Sequence, residues 1–587
     1  MPEYLLVSTQ ISISEIQDNR KILYLGEWAK KYGLNFNRNL SLTLEHHWSD
    51  LEKLKKDNIY LATKYEELIT ILSQRLNKIH QLDLSKQSWE IIIGPFLVYF
   101  IGTIWDRWEI IQTLQSSKIQ CEYIHNKIKV LDTPKTNLDF NNTVGNDVWN
   151  EYVFSRILEF LKPANVKLCH KIQPGDEIKL RHNVSNKIDS RIKLFLKEIL
   201  IKIEILFYKF YKKHDFLFFE TYFPLSFERK LNKALSKVPF RNSFFNKMPK
   251  FHPKKDSKTR NNLFSLRANS KFETILNQFL IEFFPLSYLE GLPSFIKHQR
   301  SYPSAKNILT ANGHFFNENF KIWSAFQVRD KSNLFISSHG GSIQPEINNF
   351  NLQERISTSR FVWGKAWQLN QIAMPANKLI DFKKKFNPNG YISIIGYDNL
   401  RYEYRCVSAA TGVGVLRSFE QLNTFLKESI SKNFFKKILY KSKPIDLSKS
   451  WQIKQRIQDA FGKHIIADTQ NINETIQDSK LVICTYPMTT LAECMISGVP
   501  TTLLINKDDW LFSDIYTRLL EVLESAKILH FDPIKLSSHI QEIENDIESW
   551  WYSAQVQDAR KLFLSLCAQA DKDPLQAWQS FFQKLDN

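Results

Sequence analysis

The chain has 587 residues, which is more than one hydrophobic core usually supports, so we expect two or three domains. Its hydrophobic content of 43% and its 17 glycines exclude a disordered or collagen-like protein. A formal net charge of +18 favours anionic partners such as nucleotide phosphates, acidic glycans, lipid headgroups or nucleic acid.

The six cysteines are far apart and form no CxxC pair, which is typical of a reducing cytoplasm and indicates neither a zinc site nor a disulfide framework. The N-terminal MPEYLLVSTQ lacks the basic-then-apolar order of a signal peptide, so export is not expected. The most apolar segment, 91–105, is shorter than the ~20 residues that cross a bilayer and predicts a buried helix. We therefore expect a cytoplasmic protein.

Short apolar segments at residues 4–9 and 22–28 are typical of buried parallel strands and predict the opening of a Rossmann-like sheet. Apolar positions every three or four residues then predict helices over 50–80 and 88–108. The basic segment 229–271, in which Pro, Ser and Asn interrupt any period, predicts a solvated loop. The alternative is a loop that guides an acidic acceptor or touches a membrane surface.

A strand–helix–strand order over 307–341 is followed by a second alternation that begins at residue 391 and ends at 506. The predicted fold class is therefore α/β, with two Rossmann-like domains facing across a cleft and with helical additions. We place an acceptor domain at 1–365 and a nucleotide-donor domain at 366–587, with the active site in the cleft between them.

The segment 478–506 carries the strongest chemical signal. A buried strand, LVICT, ends in TYPMTT, and a helix starts at Thr489 and Thr490, where free backbone N–H groups and two hydroxyls can hold a phosphate. Tyr486 lies in the same turn, and Glu493, one helical turn later, can reach a ribose hydroxyl. The alternatives are that the threonines only cap the helix and that Glu493 lies on a solvated face.

A histidine follows the strand NLFIS directly and precedes two glycines. Gly340 and Gly341 let the backbone approach a ligand closely and place the imidazole of His339 at the strand end, a setting for a general base or for a donor to a leaving phosphate. A structural histidine is the alternative. His314, in TANGH, also ends a predicted strand and is a candidate for lining the same cleft.

Three further positions are weaker candidates. Glu27 follows a strand and can orient or deprotonate an acceptor hydroxyl, or it can stabilise a helix start. Asp106 and Arg107, at the end of an apolar helix, either line the cleft or form a buried ion pair, which is the favoured interpretation. Glu220 also ends a predicted strand.

The sequence contains no GxxxxGK[ST], GxGxxG, HExxH or GxSxG motif, and it lacks the DxD element of metal-dependent sugar transferases. We therefore predict no metal and no cofactor besides a nucleotide-sugar co-substrate.

Together these segments resemble a bacterial family of transferases from surface-polysaccharide gene clusters. The resemblance is collinear over most of the chain and rests on the segments LGEW, WEIIIGPFLVYF, WNEYVFSRIL, PLSYLEG, ANGH, SHGGSIQPE, RISTSRFVWGKAW and CTYPMTTLAECMISGVPT. More distantly, HGG combined with TYPMTT is similar to CDP-glycerol glycerophosphotransferases and to bacterial sialyl- and Kdo-transferases, which have the GT-B fold.

The resemblance implies that Thr489 and Thr490 bind the donor phosphate and that His339 lies near the reacting centre. Those relatives often carry His-Pro after a strand of the C-terminal domain, whereas this chain reads YKSKPID. Lys441 or Lys443 would replace that histidine in neutralising the phosphate.

The predicted function is metal-independent transfer of a sugar from a nucleotide donor, a CMP-linked ulosonic acid first, to an acceptor hydroxyl in cell-surface glycan synthesis. The expected acceptor is a glycan, a lipid-linked sugar or a protein, with peripheral contact at the inner membrane surface and without nucleic acid. The alternatives are a CDP-polyol phosphotransferase, a sugar-nucleotide epimerase and a non-catalytic glycan-binding scaffold.

Overall fold

Three separate parallel β-sheets organise the computed structural model. The structure describes residues 3–12, 20–33, 40–125, 131–170, 191–210, 213–235, 242–380, 382, 386–431, 438–442, 445–569 and 573–585.

The first sheet lies at the N-terminus. Its strands are β1 (Tyr4–Val7), β2 (Lys21–Tyr24), β3 (Ser41–Thr43), β4 (Cys121–His125) and β5 (Val166–His170), and its helices are α1 (Leu51–His80), α2 (Lys86–Ser117), α3 (Asn137–Val144) and α4 (Asp147–Leu161). The strand order is β3-β2-β1-β4-β5, and every paired strand is parallel. The order reverses between β1 and β4, which makes this a switch point of the kind where open α/β sheets bind ligands.

The second sheet has the order β10-β9-β8-β7-β6 and no such reversal. Its strands are β6 (Lys213–Phe219), β7 (Ser304–Thr310), β8 (Asn333–Ser337), β9 (Ser359–Val362) and β10 (Gln371–Ala373). The helices of this part are α5 (Arg191–Phe210), α6 (Leu225–Ala234), α7 (Ser257–Leu263), α8 (Lys271–Phe283), α9 (Leu292–Gln299), α10 (Gly313–Phe316), α11 (Glu318–Arg329) and α12 (Leu352–Ile356).

The third sheet has the order β13-β12-β11-β14-β15-β16, with its switch point between β11 and β14. Its strands are β11 (Tyr391–Gly396), β12 (Ile438–Ser442), β13 (Ile465–Ala467), β14 (Ser479–Cys484), β15 (Thr501–Leu504) and β16 (Leu529–His530). Its helices are α13 (Gly412–Ser431), α14 (Ile453–Phe461), α15 (Ile472–Gln477), α16 (Thr489–Ser497), α17 (Thr517–Ser525), α18 (Pro533–Ile543), α19 (Ile547–Trp551), α20 (Ala554–Cys567) and α21 (Pro574–Gln583).

Helix α2 connects all three parts. Its mean hydropathy of 1.4 over 18 residues and its length suit a membrane span, but 94% of that window is buried inside the protein. Ser88 donates a hydrogen bond to the carbonyl of Ala325 in α11, and Thr103 donates to the carbonyl of Tyr404, which follows β11. Gly102 allows the close approach, since an added Cβ would lie 3.3 Å from the backbone nitrogen of Cys406.

The α/β class with parallel, Rossmann-like sheets is confirmed, and the predicted buried helix at 91–105 lies inside α2. The predicted range 1–365 contains both the first sheet and most of the second, so the two predicted domains hold three sheets. One expectation needs correction. The basic segment 229–271 is not one loop: it includes the end of α6, α7 and the fully buried Phe244 and Phe245, whose apolar contacts fix the chain there.

The chain also returns to the second sheet after the third one. Strand β10 extends the second sheet beyond residue 365, and Trp578 and Phe582 of α21 pack against Phe361 of β9. Sheet membership does not by itself define domains, so the division into 1–365 and 366–587 stays a prediction.

Candidate functional site

A cavity of about 570 Å³ lies between the carboxyl ends of the second and third sheets. The segment after β8 forms one wall, and the loop after β11 together with the start of α16 forms the opposite wall. Helix α2 contributes Tyr99 from the first part of the molecule. The cavity therefore lies at the switch point of the third sheet, where the fold itself favours ligand binding.

Gly340 and Thr489 come from the two walls and nearly touch. A Cβ added to Gly340 would lie 2.4 Å from the Thr489 hydroxyl oxygen, so only glycine leaves room for that side chain. Both residues line the cavity, as do Gly341 and His339. The two motifs that the sequence singled out, HGG and TYPMTT, thus face each other.

The start of helix α16 offers backbone N–H groups that can bind an anion. Its N-cap residue is Met488, and no side chain caps its first backbone N–H groups, so the interpretation of the threonines as simple caps does not hold. Because the N-terminus of a helix carries partial positive charge, these groups and the Thr489 hydroxyl can hold a phosphate in the cavity.

Three neighbouring candidates point elsewhere. The hydroxyl of Thr490 lies 2.9 Å from the Tyr486 hydroxyl, and neither residue lines the cavity. Glu493 is 2% exposed and forms an ion pair with Lys378 at 2.7 Å. Burial raises the pKa of Glu493, and Lys378 opposes that shift. Of this group, only Thr489 faces the cavity.

Of the two lysines proposed for the phosphate, the described one, Lys441, does not line the cavity. Lys441, in β12, forms an ion pair with Asp468 at 3.4 Å and donates a hydrogen bond to the carbonyl of Gln470. Strand order explains this placement, since β12 is separated from α16 by β11 and β14. Lys443 lies outside the described residues.

The His339 side chain is exposed on the cavity wall that follows β8, and its ring has aromatic neighbours. The ring centroid lies 6.1 Å from that of Phe315 and 6.3 Å from that of Tyr222. His314 instead is fully buried behind the wall, with its Nε2 3.3 Å from the side-chain nitrogen of Gln353. Burial lowers the pKa of His314 well below its usual range, and His339 and Arg360 add to the effect, so His314 is neutral.

Four other candidates do not line the cavity. Glu27 forms an ion pair with Lys30 at 2.6 Å beside the first sheet. Glu220 follows β6 with a left-handed backbone, and its carbonyl accepts a hydrogen bond from Ala311. Asp106 and Arg107 form a buried ion pair, the alternative that the sequence favoured.

The Asp106 carboxylate also joins a cluster with two histidines. His46 Nε2 and His47 Nε2 lie 2.8 Å and 3.1 Å from Asp106 Oδ1, a set whose ligand types suit a metal ion. However, His46 Nδ1 accepts a hydrogen bond from the backbone of Trp48, which leaves its proton on Nε2, directed at Asp106. Hydrogen bonds and the Arg107 ion pair therefore give Asp106 and His46 partners within the protein.

Sequence reasoning missed Arg405 and Arg360, two cations that line the cavity. Arg360 forms an ion pair with Glu354. Arg405 stacks over the ring of Tyr404 at 5.0 Å, and its pKa is raised by Tyr404 first, with burial opposing, and by Tyr99, Tyr397 and Glu403. The available signal was position: Arg405 follows β11, whose carboxyl end borders the switch point.

Comparison with solved structures finds only distant similarity. A variant of S. aureus TarM in complex with fondaparinux, α-GlcNAc-glycerol and UDP is 10% identical, with a TM-score of 0.32 over 50% of this chain and 59% of that chain. The α,α-trehalose 6-phosphate synthase from Burkholderia multivorans is 10% identical, with a TM-score of 0.30 over 55% of this chain and 77% of that chain. This chain thus spans little more than half of TarM, and similarities of this degree carry no conclusion about its reaction.

A search of curated proteins finds no match. The similarity to CDP-glycerol glycerophosphotransferases and to sialyl- and Kdo-transferases therefore stays a prediction. A family model, in contrast, matches residues 4–582, nearly the whole chain. Its description is that of a transferase family, which agrees with the resemblance drawn from the motifs. This protein belongs to the LIC12162 family of transferases.

Proposed function

We propose that this transferase moves a sugar from a nucleotide donor to an acceptor hydroxyl inside the cavity between the second and third sheets. The observation that carries the proposal is the apposition of Gly340 and Thr489, which brings an uncapped helix start and His339 to one cavity. A phosphate-binding group and a base candidate at one cavity are two groups that glycosyl transfer can use.

The donor phosphate is proposed to bind at the start of α16. The backbone N–H groups there and the Thr489 hydroxyl donate to phosphate oxygens, and the helix dipole stabilises the negative charge that grows as the phosphate leaves. A CMP-linked ulosonic acid is the first donor to test, followed by UDP- and TDP-sugars.

His339 is proposed as the general base. The acceptor oxygen forms a bond to the anomeric carbon while the bond from that carbon to the phosphate oxygen breaks, and the phosphate departs with the electron pair. The acceptor proton passes to the imidazole of His339. His314, held neutral by burial, does not line the cavity.

We further propose that the product serves cell-surface glycan or glycoconjugate synthesis, with a glycan, lipid-linked sugar or protein as acceptor. The basic surface of a chain with net charge +18 supports an anionic or membrane-bound acceptor at the cytoplasmic side. Reaction without a metal and without binding to nucleic acid remain parts of this proposal.

The test uses two threonines that are adjacent in sequence but differ in direction. Thermal-shift and calorimetric titrations with CMP, CDP, UDP, TDP and GDP identify the nucleotide, because a ligand that binds only the folded chain raises its melting temperature. Thr489→Val is expected to weaken that nucleotide about tenfold by removing a hydrogen bond to a charged group. Thr490→Val is the matched control and leaves the affinity unchanged, since its hydroxyl binds Tyr486.

His339→Asn separates catalysis from binding. We expect a loss of about 10²–10⁴-fold in turnover with nucleotide affinity retained, measured by release of the nucleotide product. A wild-type protein that binds none of the five nucleotides, or a His339→Asn variant with full turnover, overturns the proposed function. A non-catalytic glycan-binding scaffold would keep its binding function in all three variants.

A further inference from the structure

Five polar atoms around the cavity are buried and have no hydrogen-bond partner in the described structure. They are Asn141 Oδ1, Ser342 Oγ, Asn349 Oδ1, Arg360 Nε and Arg405 Nε. Buried polar groups in native proteins nearly always find a partner, and leaving one unpaired costs about 1–3 kcal/mol. These five atoms belong to cavity-lining residues whose polar groups the described residues leave without a partner.

Arg405 lies at the centre of one corner of this cavity. Tyr404, next to it in the chain, stacks on Tyr99 with ring centroids 5.8 Å apart and an interplanar angle of 27°. Asn349 lies beside them, because its backbone N–H donates to the carbonyl of Cys406 at 3.2 Å. We refer to Tyr99, Asn349, Tyr404 and Arg405 as the arginine corner.

No carboxylate among the described residues forms an ion pair with the guanidinium of Arg405. Arg360, the other cavity cation, already pairs with Glu354, whereas Arg405 takes part in no ion pair with any residue that the structure describes. Glu403 is close enough to raise the pKa of Arg405 but does not bond to it. A guanidinium in this state favours a carboxylate or phosphate, which it can bind through two parallel hydrogen bonds.

The other groups of the arginine corner favour a ligand that has hydroxyl donors and an apolar face able to pack on aromatic rings. The free amide oxygen of Asn349 can only accept hydrogen bonds, and the rings of Tyr99 and Tyr404 offer an apolar surface. The proposed function already places the nucleotide phosphate at the helix start at Thr489, so the corner is left for a second anionic group. A sugar that bears a carboxylate supplies that anion, hydroxyl donors and an apolar C–H face that packs on aromatic rings.

The first part of the molecule holds this corner in place. Arg107, in α2, donates to the carbonyl of Glu403 at 2.6 Å, and Thr103 donates to the carbonyl of Tyr404. Gly102 packs against the backbone of Cys406. Support of this kind fixes the geometry of a binding site before the ligand arrives.

We infer that the arginine corner binds the carboxylate of an acidic sugar, with Arg405 as the residue that selects acidic over neutral sugars. This inference rests on the proposed function for the role of that sugar in the reaction, and it names the substrate class. It concerns a different part of the cavity from the helix start at Thr489, so the two proposals can fail separately.

The experiment measures binding of single sugars by saturation-transfer NMR and calorimetry. The probes are N-acetylneuraminic acid and glucuronic acid as carboxylates, glucose 6-phosphate as a phosphate, and glucose as the neutral reference. We expect the wild type to prefer a carboxylate, and Arg405→Met to lose about tenfold or more in affinity for it while keeping its nucleotide affinity.

Arg405→Lys and Arg300→Met are the controls. Arg405→Lys keeps the charge and should restore part of the preference, which separates a lost interaction from a misfolded chain. Arg300 is exposed at the end of α9, and Arg300→Met should leave every affinity unchanged.

Two results would overturn the inference: selective binding of the phosphate probe, or loss of nucleotide rather than of acidic sugar in Arg405→Met. If the wild-type protein binds the acidic sugar but none of the nucleotides, the inference about the arginine corner is supported and the proposed function is overturned.

Discussion

The first and third sheets each have a switch point, but their polar groups have different partners. At the first, the hydroxyls of Ser8, Thr9 and Tyr123 donate to the carboxylate of Glu151 at 2.5 Å, 2.7 Å and 2.6 Å. At the third, Thr489 faces the cavity from the start of an uncapped helix. The first switch point is therefore filled by the protein itself, and the third is open.

This difference shows that the position of a switch point does not establish a binding site. Both sheets offer hydroxyls after a strand, as the topology of an α/β fold leads one to expect. What distinguishes them is whether the protein supplies the partner. A buried glutamate completes the first set, whereas five unpaired polar atoms surround the cavity at the third.

Removing the glutamate from the first switch point should have the largest effect on stability. Glu151→Ala leaves three buried hydroxyls without their acceptor, and we expect it to lower the free energy of unfolding by about 3–5 kcal/mol. Urea denaturation followed by tryptophan fluorescence measures the change. Nucleotide affinity of the folded fraction should not change, because Glu151 lies outside the cavity.

Glu524→Ala is the control for this experiment. Glu524 is exposed on α17, so its removal should change the free energy of unfolding by less than about 0.5 kcal/mol. If Glu151→Ala is as stable as wild type but loses nucleotide or acceptor affinity, the first switch point is a ligand site after all, and the contrast between the two sheets is wrong.

Acid should destabilise the protein through histidines that lie away from the cavity. Burial lowers the pKa of His47, His530 and His539 from 6.5 to about 4. Between these values the unfolded chain binds protons that the folded chain does not, so stability is lost as the pH falls from 6.5 to 4. We expect a decrease of a few kcal/mol, measured as the thermal midpoint across this range.

His530→Gln should weaken that pH dependence, whereas the same change at the exposed His252 should leave it unaltered. A thermal midpoint that is constant between pH 6.5 and 4 would show that the three histidines titrate equally in both states.

The sequence was sufficient to predict several of the parallel strands, among them β1, β2, β7, β8 and β14, and the two motifs at the cavity. Parallel strands buried on both faces are continuous apolar runs, and the helix at 489–497 follows directly from LVICT and TYPMTT. The directions of the two threonine side chains around the helix axis were not predictable from the sequence. Thr489 and Thr490 differ by about 100° around the axis, and only the packed structure shows which hydroxyl meets Tyr486.

Residues that depend on strand order were also beyond the sequence. Lys441 ends a strand as a phosphate ligand should, but Asp468 beyond the neighbouring β13 pairs with it. Glu27 follows a strand of the first sheet and does not line the cavity. Arg405 carries no motif. It lies 84 residues before Thr489 in the sequence, and only the folded chain brings the two residues to the same cavity.

The two glycines after His339 offer the finest test of the contrast between filled and open positions. Gly341 faces the filled side: an added Cβ would lie 2.6 Å from the indole of Trp363, which is fixed by a hydrogen bond to Asn377 at 2.7 Å. Gly341→Ala should therefore lower the free energy of unfolding by about 1–3 kcal/mol. Gly340 faces the open side, so Gly340→Ala should displace the Thr489 hydroxyl and weaken nucleotide binding with a smaller loss of stability. Measuring both quantities for both variants decides the matter, since equal effects would mean that the two walls do not meet at Thr489.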